Sequence, residues 1–238
     1  MKKEILDKIK SRGYWRINFE PLVFEQKLKT IAECKDIVEK NRVELRGWDY
    51  PHFPYGSVDH AGLELGDKYY EGWIGWFNYF ELWRMYQSGQ FLHYFALRDD
   101  WSEHDGWGIV PNRNIEPGTV INIIGEVTYE LTEVFEFLSR LTRKGIYDEG
   151  VKVSISLNNT KDRKLVLLDA GRAPLFMEYK TPLDKIDFVK EYTKDQILTN
   201  SKDLALEVIL HIFERFAWHN PPIEMIKKDQ ENLLNRKI

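Results

Sequence analysis

The chain has 238 residues, with 34 Lys and Arg against 38 Asp and Glu, one cysteine, 43% hydrophobic and 14% aromatic residues, the composition of a folded globular protein. A lone Cys34 supports neither a disulfide framework nor a multi-cysteine metal site, and no stretch approaches the roughly 18 consecutive apolar residues of a membrane helix. The opening MKKEILDKIK is basic but lacks the apolar core of a signal peptide, so a cytoplasmic location is expected.

In chain order, Y-W-R-I-N-F-E at 14–20 sets Trp15, Ile17 and Phe19 on one face and Arg16, Asn18 and Glu20 on the other, which predicts a half-buried strand. Ile31, Cys34 and Val38 recur at helical spacing and predict a helix over 30–40, with Cys34 as a small buried apolar residue. A strand is expected at 43–46, running into the turn Gly47-Trp48-Asp49-Tyr50-Pro51-His52. Five glycines within 53–75 imply a long irregular loop. Residues 76–86 read as a short aromatic helix, 90–97 as a central strand apolar on both faces, and 101–114 as a loop.

The second half is more regular. Leu131, Val134, Phe135, Leu138 and Leu141 make a helical stripe ended by Lys144-Gly145. Residues 151–157 and 165–168 read as a hairpin, and 175–179 as a third strand. A helix capped by Asn200 or Ser201 is expected through Trp218, and a last one over 223–234. The expected fold is α+β, a mixed or antiparallel sheet packed by helices. Either it is a single compact domain or it is two packed lobes, 1–110 and 111–238, meeting near 108–116.

Charge divides unevenly. Residues 1–46 carry 12 bases and 8 acids, residues 47–110 carry 3 and 10, and the remainder 19 and 20. The acidic middle also holds 18 of the 33 aromatic residues. Phosphate would be repelled there, which argues against nucleic-acid binding through 47–110 and leaves only the first 46 residues or the C-terminal third for such a contact. Aromatic rings at this density build a core from few residues or, where exposed, anchor a partner.

At Arg12-Gly13-Tyr14-Trp15-Arg16, at Arg46-Gly47-Trp48-Asp49-Tyr50-Pro51-His52 and at residues 83–91, WRMYQSGQF, the chain resembles a family of uncharacterised bacterial proteins. The similarity runs through most of the chain, including the helix at 131–141. It implies a bacterial cytosolic protein and assigns no chemistry to any residue.

The histidines, at 52, 60, 93, 104, 211 and 219, fall in no HExxH motif and no zinc spacing. His211, in an apolar helix, reads as a hydrogen-bonded core residue. There is no GxSxG, Walker A or GxGxxG pattern, and no cofactor or metal is called for. These readings lead to a non-catalytic binding or sensing module that recognises a partner protein or small ligand through Arg46, Trp48, Asp49, His52, Trp73, Trp76 and Trp83. The alternative is a Mg²⁺-dependent nuclease resembling the PD-(D/E)xK fold, with Asp169 and Glu178 as carboxylate ligands and Lys180 orienting water. The proline of that motif is missing, because Leu168 precedes Asp169.

Overall fold

The computed structural model describes residues 2–54, 60–104, 115–168 and 172–238. They form α1 (Lys3–Lys10), β1 (Tyr14–Pro21), α2 (Ile31–Asn41), β2 (Ala61–Leu65), β3 (Tyr69–Trp76), β4 (Tyr79–Tyr86), β5 (Phe91–Ala96), β6 (Val120–Asn122), α3 (Glu130–Arg143), β7 (Val151–Asn158), β8 (Lys164–Val166), β9 (Lys185–Tyr192), α4 (Lys194–Arg215) and α5 (Ile223–Leu234). Seven strands make one antiparallel sheet in the order β2-β3-β4-β5-β1-β7-β9, while β6 pairs parallel with β8. The fold is α+β, as the sequence predicts.

The alternation at 14–20 places β1 at the join of this sheet. Tyr14 faces Ala96 of β5 on one side and Asn158 of β7 on the other. Trp15, Ile17 and Phe19 are fully buried against the helices, in a core with Cys34 and Val38 of α2, Val134 and Leu138 of α3, and Val208 and Phe213 of α4. On the opposite face Ile9 of α1 packs with Phe80, Leu82, Ala96 and Trp101. The sheet contains strands from both sides of residue 110 and does not divide there.

Several expected elements differ. Residues 43–46 form no strand, only the isolated bridge Val43↔Tyr50. The glycine-rich stretch contains β2 and β3, because there glycine makes room for rings. Gly62 faces Trp73 and Gly72 faces Trp83, and a Cβ on either glycine would lie 2.5 Å from the indole. Residues 76–86 are not a helix. They turn at Phe77 (φ +50°) and run back as β4, with aromatics on both faces obscuring the strand period. The 165–168 segment joins β6 instead of pairing with β7, residues 175–179 are irregular, and the neighbour of β7 is β9, whose mostly exposed residues carry little hydrophobic signal.

Helix α4 begins before its expected cap. Thr193 and Gln196 form a capping box, and Asn200 interrupts the helix with φ −128° and ψ 21°. It ends three residues short of Trp218 through backbone geometry. Trp218 N donates to Phe213 O at 2.9 Å, Ala217 N donates to Glu214 O at 3.0 Å, and Ala217 takes φ +61°. This is a Schellman closure with alanine where glycine is favoured. Its left-handed conformation costs roughly 1–2 kcal/mol. Enclosing the contacting Phe213 and Trp218 rings returns more, on the order of 1.5–3 kcal/mol for each large side chain. Ala217→Gly should therefore raise the unfolding free energy by about 0.5–1 kcal/mol, read as a higher urea midpoint at unchanged slope. A lower midpoint would contradict this closure.

Candidate functional site

The densest set of buried charge lies between the helix-covered face of the sheet and the start of α3. The loop after α2 is drawn in by two backbone bonds, Val43 N to Tyr50 O at 2.7 Å and Tyr50 N to Val43 O at 2.8 Å. This lays Arg46 beside α3. Its Nη2 donates to Glu130 Oε1 at 2.7 Å and to Glu133 Oε2 at 2.6 Å, its Nε donates to Glu133 at 3.1 Å, and its Nη1 reaches Gly125 O at 3.3 Å. Arg98 donates to the same Glu130 oxygen and to the Tyr79 hydroxyl, each at 3.2 Å.

Next to this group, Glu81 gathers the loop onto β4. It accepts from Trp48 Nε1 at 2.6 Å and from His52 N at 3.2 Å, and the buried His93 Nε2 lies 3.2 Å away. The other nitrogen of His93 meets the Tyr50 hydroxyl at 3.2 Å. Trp48 is clasped between two rings, His52 at 4.0 Å and Tyr79 at 3.8 Å, both within about 20° of parallel. Asp49 lies 2.5 Å from His52 Nδ1 and 3.1 Å from Arg42 Nε.

A partly open space of about 20 Å³ remains among Arg46, Tyr50, Glu81, His93, Arg98 and Glu133, which is room for about one water molecule. Burial would raise the Glu81 carboxyl, but the contact with His93 and the Trp48 N–H hold it below the ordinary range. Burial pushes Glu133 up to about 7 against the pull of Arg46, while Glu130 and Glu133 hold the Arg46 guanidinium protonated. Arg46 meets Glu133 through a two-toothed contact, the geometry of a charge-assisted pair. Asp49 and His52 have the geometry of a general-base pair. Among the described residues no Ser, Thr or Cys side chain is hydrogen-bonded to His52, and its ring face is taken up by Trp48.

Of the residues expected from sequence, Arg46, Trp48, Asp49 and His52 meet here. Trp83 lies buried beneath them, its Nε1 donating to His52 O at 2.7 Å. Trp76 is the cross-strand partner of Tyr79 and stacks on His60, which extends the row of rings along the sheet end. Trp73 is on the opposite face, under Lys2 of the N-terminal segment, and does not join the group. His211 is half-buried at a helix flank, in contact with Asp187 O at 3.0 Å, and is not enclosed in the core.

Glu178 and Lys180 are exposed and paired with each other at 3.1 Å, with Lys164 also on Glu178. Glu178 sits in irregular chain where a strand was expected, so strand alternation does not set its side chain beside that of Lys180, and Asp169 lies outside the described residues.

No known protein family, curated protein or solved structure matches the chain.

Glu81, His93, Glu130 and Glu133 escaped the sequence reading. The available signal was a polar residue at an inward position of an apolar series, as in Phe91-His93-Phe95 and Glu81-Trp83-Met85. One turn before Glu130, in a π-helical segment at Ile123–Tyr129, lies another such residue, Glu126. It accepts from Asp99 N at 3.0 Å and Asn122 N at 3.1 Å, and burial together with the charge of Asp99 pushes it up to about 8 from an ordinary 4.5. Between those values the native chain holds a proton that the unfolded chain has released, so stability falls as pH rises through this window. The urea midpoint should be higher at about pH 5.5 than at about pH 8, and this difference should shrink in Glu126→Gln. An equal difference in both proteins would show that Glu126 does not titrate there.

Proposed function

We propose that the protein is a non-catalytic recognition module whose partner is another protein, bound across the ring row His52, Trp48, Tyr79 and Trp76. The observation that carries this reading is the mounting of Trp48. Its indole is half-buried, fixed on both faces by rings and at its edge by the buried Glu81. A tryptophan so held loses little freedom when a partner covers it, and Trp and Tyr are the commonest anchors of protein interfaces.

Two further observations favour recognition over catalysis. The acids and bases behind the rings are committed to one another, and the space among them holds about one water, well short of the roughly 300 Å³ of a small-ligand pocket. The excess of acids in 47–110 favours a partner with a basic face. Nucleic acid would have to bind elsewhere.

The test is affinity capture from a lysate of the source cells with wild type, Trp76→Ala and Tyr79→Ala as baits, followed by binding measurements on the purified partner. A protein retained by wild type should bind each variant at least about 30-fold more weakly, the loss of one interface anchor. Unchanged affinity in both variants, with their urea midpoints intact, would refute the proposed surface.

A further inference from the structure

The chain leaving β1 exposes an apolar run, Leu22, Val23 and Phe24, and the Phe24 ring is 83% exposed. It stands beside the turn that joins β4 to β5, residues 87–90, and the two border an open hollow of about 460 Å³, within the size range of small-ligand sites. A second hollow of about 310 Å³ adjoins it, sharing Phe24 and Gln90 and adding Pro21 and Leu22. Tyr79 of the ring row begins β4 and Tyr86, in the lining of the larger hollow, ends it, so this region lies at the other end of that strand from the ring row.

The walls are tied together by the chain itself. Gln26 Nε2 and Gln87 Nε2 each donate to both Leu28 O and Lys29 O, at 3.1 to 3.3 Å, and Leu28 N donates back to Gln87 O at 2.9 Å. Lys27 bridges Glu25 and Glu149 at 2.6 and 2.7 Å, and Gln87 N donates to Lys68 O at 2.9 Å. Gly89, at φ +86°, closes the turn by donating its N–H to Tyr86 O at 2.9 Å. The segment that carries Phe24 is thereby tethered to the β4 to β5 turn, and its one lining acid, Glu25, is already paired.

These bonds decide what the lining offers. The amide nitrogens of Gln26 and Gln87 are spent on backbone carbonyls, and that of Gln90 on Asn18 Oδ1 at 2.9 Å. Their three carbonyl oxygens are left as acceptors without a partner among the described residues. Tyr86 Oη accepts from Arg84 Nη1 at 3.0 Å and Ser88 Oγ accepts from Gln90 N at 3.3 Å, so each hydroxyl keeps its own proton to donate. The exposed Lys68 adds an ammonium donor. An anion would face three acceptor oxygens, and a purely apolar ligand would cover these polar groups without pairing them. Acceptors and donors interleaved around one exposed ring match a ligand whose own groups both donate and accept beside an apolar face. Hydroxyls on a ring with C–H groups across one face are the chemistry of a sugar.

We infer that these adjoining hollows bind a neutral oligosaccharide, with one sugar ring stacked on Phe24 and its hydroxyls on Gln26, Gln87, Gln90 and Ser88. The probes are maltotriose, cellotriose, mannotriose and galactotriose, titrated calorimetrically into the full chain, with wild type compared to Phe24→Ala and Phe24→Trp. Phe24 lies largely outside the core, and an unchanged urea midpoint checks that each variant keeps the fold. Wild type should saturate with at least one trisaccharide below about 10 mM. Phe24→Ala should weaken that binding at least about tenfold, and Phe24→Trp, which keeps an aromatic face, should retain it. The inference is overturned if no trisaccharide saturates in that range, or if Phe24→Ala binds as wild type does. It is also overturned if the apolar dye anilinonaphthalene sulfonate binds in a Phe24-dependent way while no trisaccharide does, which would assign the surface to an apolar partner.

Discussion

A charge removed from water must be met by an opposite charge or by a full set of hydrogen bonds, and this constraint fixes how the distant parts of this chain lie together. Arg46 can be buried only where Glu130 and Glu133 wait for it, 84 and 87 residues away in sequence. Asp100 is likewise buried only with Arg163, Gly13 and Gly118 around it. Apolar burial supplies the driving force for collapse but little direction. These paired charges supply direction, since any other packing would strand one of them in the interior. The sheet end that carries the ring row and the turns that carry Gly13, Gly118 and Arg163 are each held by one such cluster.

The uneven charge of the sequence has a structural counterpart. The basic N-terminal segment folds over the acidic, aromatic middle: Lys2 lies over Trp73, Lys8 over Phe80 and Trp101, and Lys10 over Tyr94. Such cation-to-ring contacts are modest individually, about 0.5–1 kcal/mol at exposed sites. Together with the burial of Ile9 they hold α1 on that face of β3 to β5, where Trp73 packs as a half-buried ring. On the opposite face the half-buried rings are those of Trp48, Tyr79 and Trp76.

Much of the architecture was legible because burial leaves a period in the sequence. β1 and β7 alternate apolar and polar residues in sequence, with Asn18, Ser156 and Asn158 buried on the polar face as well, and α3 keeps a continuous stripe from Leu131 to Leu141. Elsewhere the period is lost. β4 carries Phe80 and Leu82 toward α1 and Trp83 and Met85 toward the main core, so both faces are apolar. β2 and β3 spend inward positions on glycine so that Trp73 and Trp83 can lie flat across them. β9 is an edge whose side chains mostly meet water. For the site, the turn residues from Arg46 to His52 stood out by composition. Their partners Glu81, His93, Glu130 and Glu133 did not, because pairing between distant segments has no local signature.

The claim on which the functional reading rests is that Trp48 is held rigidly by the buried carboxylate of Glu81 and by its two ring neighbours. The indole N–H of Trp48, assigned in a nitrogen-15 spectrum by comparison with Trp48→Phe, reports on this directly. Its hydrogen exchange should be slowed by at least about a hundredfold relative to a free indole, as for a bond that opens only with local unfolding. Exchange at the rate of an exposed indole would show that the ring is loosely held, and would contradict the account of a preorganised recognition surface.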